Sequence, residues 1–313
     1  MEAADRGPAA ARQRVRPHEG ALDAIYARYE DSDPFMPNGF IDHATMGAEA
    51  LVALGLGPHV ETWLTSHPVR RATLPATGEP LEATWEAALG HDDRHGDWLA
   101  HFQVEVTRAP HADVLQRWVP RLLQDVGARL FHGLLRTAHA VRALDHRDTP
   151  ARRSELAHGL ALWASGVSVH PEDAASGRGP LPAEALLRHA RGGAEVFLRA
   201  PNVPTLHLVT GPMAYMLLAP HLPAEAHALA DVAFTRVRQT LPELLARMRP
   251  PRFTGEAFDE AHLEALAHVA DAHPAKLTEA CLRAFRATHD DIFLAAAAKV
   301  QPEPAWEDVP TLH

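Results

Sequence analysis

The chain has 313 residues, 46% of them hydrophobic and 22% charged, with a formal net charge of -10 and a pI near 6.1. That length allows one large domain or two ordinary ones, and the acidic balance argues against a nucleic-acid partner, which needs a basic face. A single cysteine, Cys281, rules out an internal disulfide and fits a reducing, cytoplasmic setting. The N-terminus lacks an apolar segment of signal-peptide length and nothing approaches the ~20 apolar residues of a membrane span, so a soluble protein is expected.

Helical periodicity dominates, as abundant Ala and Leu and few aromatics would favour. After a loose N-terminal segment (1–20), "HATMGAEALVALG" places Met46, Ala50, Leu51 and Leu54 on one helical face, with Gly55 as the stop. Residues 64–80 read as a Pro- and Gly-marked loop. "HFQVEV" (101–106) is the best strand candidate. "ADVLQRWVPRLLQDVGARLFHGLLRTAHAVRAL" reads as a long helical stretch interrupted or kinked at Pro120. "PARRSELAHGLALWAS" begins a helix with Pro150 in its first turn. Further helices are expected at 182–197, 204–219, 223–247, 259–272 and 274–298, with loops at 169–181 and 248–256 and a C-terminal tail at 300–313. There is no internal repeat. The expectation is one all-α domain over 1–313, of about nine or ten helices.

No G-x-G-x-x-G, Walker loop, G-x-S-x-G elbow or H-E-x-x-H occurs, so neither NAD(P) nor flavin is expected. Cys281 lies in an apolar helical stretch and reads as core rather than nucleophile. The densest group of potential ligands is "GHDDRHGD" (90–97), with His91 and His95 at i, i+4 and three aspartates. It is rich in turn formers and reads as a solvated stretch rather than a metal site.

Two residue types stand out. Histidines number 22, more than Phe, Trp and Tyr together (10, 6 and 3). Of 30 cationic Lys and Arg side chains, only Lys276 and Lys299 are lysine. Several histidines fall where the pattern says interior. His43 opens the first amphipathic helix, and His132 follows "ARLF" and precedes Gly133, where a backbone or a ligand can approach. His139, seven residues on, lies within about 20° of His132 around the helix. His207 sits among Leu206, Leu208 and Val209, one turn before a kink expected at Pro212. His273 precedes Pro274, which disfavours helical geometry at His273 and suits the first turn of a new helix. Lys276 would then lie in that first turn. Each histidine taken alone reads as a satisfied core or boundary residue.

A lysine in a first helical turn faces the positive end of the helix dipole, and that field and burial favour its neutral amine. A neutral amine can add carbon dioxide to become a carbamate, an anionic oxygen ligand, which arginine cannot. Spacing alone does not separate this reading from chance placement of one of two lysines.

These residues resemble the questin oxidase-like family. The matching pieces, in the family's order, are "DHATMGAEALVALG", "FHGLLRTAHAVRAL", "LHLVTG" and "HPAK", spread over roughly residues 38 to 285. The resemblance implies a largely helical fold and oxidative ring opening of hydroxyanthraquinone-type polyketides, with either a monooxygenase or a dioxygenase outcome. It implies a non-haem Fe(II) held by His43, His132, His207, His273 and Lys276, the last as a carbamate formed with carbon dioxide. His139 falls beside the ligands or in the substrate pocket, and no residue stands out as the catalytic base. The expected partners are a small aromatic substrate and dioxygen, with no membrane and no nucleic acid. Four neutral imidazoles and one carbamate leave Fe(II) with a net charge of about +1. Such a site suits an electron-rich phenol that supplies its own electrons. Two other readings of the same residues are a zinc hydrolase and a non-catalytic helical binding protein whose histidines only pack.

Overall fold

The computed structural model describes residues 19–36, 40–66, 78, 80–81, 85–168, 183–245 and 258–299. Among these the protein is all-α, with thirteen α-helices, more than the sequence suggests, and no strand beyond one bridge between Phe35 and Ile41. In chain order the helices are α1 (Glu19–Tyr29), α2 (Ala44–Ala53), α3 (Val60–Ser66), α4 (His95–Arg108), α5 (His111–Leu122), α6 (His132–His146) and α7 (Pro150–Ala164). There follow α8 (Ala183–Arg199), α9 (Val203–Leu218), α10 (Ala224–Leu245), α11 (Glu260–Ala265), α12 (Ala272–Thr288) and α13 (Ile292–Lys299). No helix is long and apolar enough to cross a membrane. The segment expected to be loose, 1–20, lies outside the described residues apart from 19 and 20, which open α1. The tail at 300–313 and the loops at 169–181 and 248–256 lie wholly outside, and 64–80 largely so.

The strand candidate "HFQVEV" is helical, inside α4. Trp98, Phe102 and Val106 are buried at a spacing of four, and that period places one helical face on the core. The long stretch expected to be interrupted or kinked at Pro120 is not interrupted there: α5 carries Pro120 inside it and runs on to Leu122. The break comes later, over 123–131, before α6 begins at His132. The run expected as one helix over 274–298 is two, because His289 takes a left-handed conformation between α12 and α13.

Capping places the helices that matter for the site. Asn202 and Thr205 form a reciprocal capping box at the start of α9. The Asp271 side chain accepts from the His273 amide and starts α12 at Ala272, two residues before Pro274. His273 is therefore helical, contrary to expectation. A proline at the third helical position sacrifices no bond, since the first-turn amides have no intrahelical partner.

Three apolar clusters form the core. One packs α4, α5, α6, α7 and α10 around Trp98, Phe102 and Trp118; a second joins α1, α2 and α3 to the start of α12; a third joins α8, α9, α12 and α13. Helices α6 and α7 lie backbone to backbone: a Cβ on Gly133 would stand 2.4 Å from the Trp163 Cα, and one on Gly159 2.6 Å from the Thr137 amide nitrogen. The close approach that Gly133 permits is thus made by a helix backbone.

Candidate metal centre

His43 is the N-cap of α2, His132 the first residue of α6, His207 lies inside α9, and His273 and Lys276 lie near the start of α12. The structure brings all five together. The His43 and His132 rings stack with centroids 4.7 Å apart, and His43 meets His273 edge-on at 4.4 Å. His207 lies 4.9 Å from the His132 ring and 5.3 Å from the His273 ring. One ring nitrogen from each of His43, His132 and His273 falls within 4.8 Å of the others.

Three of the imidazoles are oriented from behind. His132 Nδ1–H donates to the Arg129 carbonyl, His207 Nδ1–H to the Val203 carbonyl at 2.7 Å, and His273 Nδ1–H to Asp271 Oδ1 at 2.7 Å. An oxygen acceptor at Nδ1 fixes the tautomer and leaves the lone pair on Nε2, the arrangement found behind metal-ligating histidines. The acceptor for His132 is positioned by unusual backbone. Arg129, Leu130 and Phe131 have φ of 48°, 53° and 65°, a left-handed turn of non-glycine residues costing ~1–2 kcal/mol each. The Arg129 guanidinium holds this turn in place. It donates to the Leu162 carbonyl at 3.0 Å, to Ser165 Oγ at 3.2 Å and to the Ser165 carbonyl at 3.1 Å, and it covers the Phe35 ring at 4.7 Å.

The donor set suits a transition metal. His43 Nε2 and His132 Nε2 are 2.6 Å apart, a separation at which two lone pairs repel unless a proton or a cation lies between them. His207 Nε2 and Lys276 Nζ are buried and have no hydrogen-bond partner, which costs ~1–3 kcal/mol apiece in a site without a ligand. Burial first, then the nearby Lys276 charge, hold the His43 and His132 imidazoles well below their ordinary pKa; for His207, burial is followed by the charge on His132. All three stay neutral at neutral pH, the form that binds metal.

Lys276 is 1% exposed. Burial brings its amine down to about 7, against the opposing pull of Asp271. The expectation of a first-turn lysine needs correcting: with α12 starting at Ala272, Lys276 lies just past the first turn, and burial rather than the helix end is the main cause. Burial would raise the Asp271 carboxyl, but the His273 charge and its hydrogen bonds outweigh that and hold it at about 2. Helix ends still shape the site. The N-termini of α2, α6 and α12 converge here through His43, His132 and His273. Each contributes up to about half a positive charge, so a buried cation needs an anion among its ligands.

His139 does not join the four histidines. Its Nδ1–H donates to Glu49 Oε2 at 2.5 Å, and burial lowers the imidazole despite that carboxylate. Glu49 also accepts from Arg142, which bonds Glu279 as well, and Glu279 accepts from Arg283 at 3.0 Å. This buried network ties α2, α6 and α12 together behind the ligands that those helices carry. Asp271, Arg129, Glu49, Arg142 and Glu279 were not foreseen. Asp271 alone had a sequence signal, as an N-cap residue two positions before His273.

The "GHDDRHGD" stretch needs one correction. His91 is exposed, but His95 is buried, beside Ser165 Oγ at 3.2 Å and edge-on to Phe35. Burial brings the His95 imidazole down to about 4. Cys281 is buried, and burial pushes its thiol up, as suits a core residue. A small cleft, about the size of one water, is lined by Tyr29, Asp33, Asp42, Thr45 and Arg136, and none of the four converging histidines lines it. No family model matches the sequence, and no curated protein matches it.

Proposed function

We propose that the chain is a non-haem iron-dependent oxygenase of the questin oxidase-like kind. It would use dioxygen to cleave or oxidise an aromatic ring, that of a hydroxyanthraquinone-like polyketide or a related phenol. The observation that carries the reading is the convergence of four imidazoles on one buried point beside a partnerless lysine amine. The four short sequence matches supply the substrate class.

In this reading His43, His132, His207 and His273 would hold Fe(II), and Lys276, as a carbamate, would complete the ligand set. Bound there, the iron supplies a place where dioxygen and an electron-rich phenol exchange electrons, with no flavin or NAD(P) required. The protein's own part is preparatory. Burial brings the Lys276 amine down to about 7, so about half of it is unprotonated at neutral pH, and that nitrogen can attack carbon dioxide, form the C–N bond and release one proton to solvent. The resulting anion answers the three converging helix ends. Hydrogen bonds donated to the Arg129 and Val203 carbonyls and to the Asp271 carboxylate keep the imidazoles aimed, and burial excludes water. Arg136, one turn after His132, is held by two 2.8 Å bonds to Glu155. The proposed setting is cytoplasmic, with which the lone, buried Cys281 is compatible.

The test is oxygen uptake by iron-loaded protein given a hydroxyanthraquinone or a hydroquinone, without NAD(P)H. Consumption by wild type, abolished in His207→Ala, is expected. Ester hydrolysis by zinc-loaded protein with no oxygen uptake from the iron form would replace this reading with a hydrolase.

A further inference from the structure

A second group of metal-ligating side chains lies away from the buried centre and shares no residue with it. His111 opens α5, Asp145 stands in the last turn of α6, and His221 closes a short helical turn after α9. His111 Nε2 lies 3.0 Å from Asp145 Oδ1, and His221 Nε2 lies 2.9 Å from Asp145 Oδ2. The two rings meet at 5.1 Å and 65°, and the three ligating atoms fall within 4.8 Å of one another. The histidine side chains are 21% and 17% exposed and the carboxylate 42%, so solvent reaches the group from one side.

We propose that His111, Asp145 and His221 form a surface site for a divalent, imidazole-preferring metal ion, zinc above all. Tetrahedral zinc at ~2.0–2.1 Å from each donor sets donors about 3.3 Å apart. The two histidine–carboxylate distances are within a few tenths of an ångström of that spacing, so the ion can replace the two Nε2 protons with small side-chain shifts. Two nitrogen donors and one carboxylate select zinc, copper or nickel over calcium or magnesium. The neighbouring Asp148 does not compete, because Arg153 donates to both its oxygens at 2.6 Å. Three protein ligands leave a fourth position to water. The three ligands come from separate elements, so the ion would pin the start of α5 to the ends of α6 and α9, the helices that carry His132 and His207. Binding to the folded state alone also raises stability.

The experiment titrates protein whose buried centre is already iron-loaded with Zn²⁺ and, as an optical probe, Co²⁺. The wild type should take up about one further equivalent. Cobalt should give the intense visible bands of four-coordination, and zinc should raise the unfolding temperature. All three effects should vanish in the double variant His111→Ala/His221→Ala and survive in His91→Ala, which keeps the buried centre intact. Equal uptake by wild type and double variant overturns the site. Should the double variant fold poorly, Asp145→Asn keeps the hydrogen-bonding shape and removes the charge. It should weaken zinc at least about tenfold, and unchanged affinity would equally overturn the proposal.

Discussion

Replacing Lys276 with methionine should strengthen the metal-free protein while destroying its metal centre. The side chain is 1% exposed and its Nζ has no hydrogen-bond partner. Keeping the amine's pKa at about 7 rather than 10.5 costs at most about 5 kcal/mol near neutral pH, at about 1.4 kcal/mol per tenfold change in proton affinity. Methionine fills a similar unbranched volume without that cost. Allowing for imperfect repacking, Lys276→Met should gain roughly 2–4 kcal/mol in urea denaturation of chelator-treated protein at pH 7. The pH dependence sharpens the test. Between about 7 and 10.5 the unfolded lysine carries a proton that the folded one lacks, so wild-type stability rises with pH across that window. The advantage of Lys276→Met should therefore be largest at or below pH 7 and shrink towards pH 10. A loss of stability at pH 7, or a gain that does not shrink, would refute the reasoning.

The buried imidazoles predict the opposite limb. Unfolded histidines take up protons below about 6.5, while His43, His132 and His207 stay neutral until well below that. The histidines' contribution to the metal-free protein's stability should be fully present above pH 6.5 and be lost as pH falls; equal melting temperatures at pH 5 and 7 would contradict this. Gly133→Ala would put a Cβ 2.4 Å from the Trp163 Cα, and since backbone cannot give way cheaply it should cost about 1–3 kcal/mol and, by shifting His132, weaken metal uptake. Thermal melts and metal titration of the one variant read both effects. His91→Ala, at an exposed position, should melt and bind metal as wild type does.

What was legible in the sequence follows from the range of the interactions. Helical class is written in local periodicity, whereas each histidine alone read as a core or boundary residue, and only the resemblance grouped the five residues that the structure brings together. Alternation over the six residues of "HFQVEV" misled because the core-facing period of Trp98, Phe102 and Val106 spans a longer window. In the break before His132, Gly127 is the one sequence signal, and 128–131 carry no glycine or proline. Its left-handed turn is made by Arg129, Leu130 and Phe131, and holds because Arg129 reaches the end of α7. Pro274 suggested the start of α12, but the Asp271 cap decided it. The network through Glu49, Arg142 and Glu279 joins residues 93 and 137 positions apart and exists only once α2, α6 and α12 have packed.

The central claim, that four histidines and a carbamylated Lys276 hold one iron, is tested most directly by the iron content of untagged protein, wild type beside Lys276→Arg. Arginine keeps the cation but cannot accept carbon dioxide. The wild type should carry about one iron per chain and Lys276→Arg close to none. Wild-type iron content in Lys276→Arg, or an iron-free wild type with full activity, would contradict it.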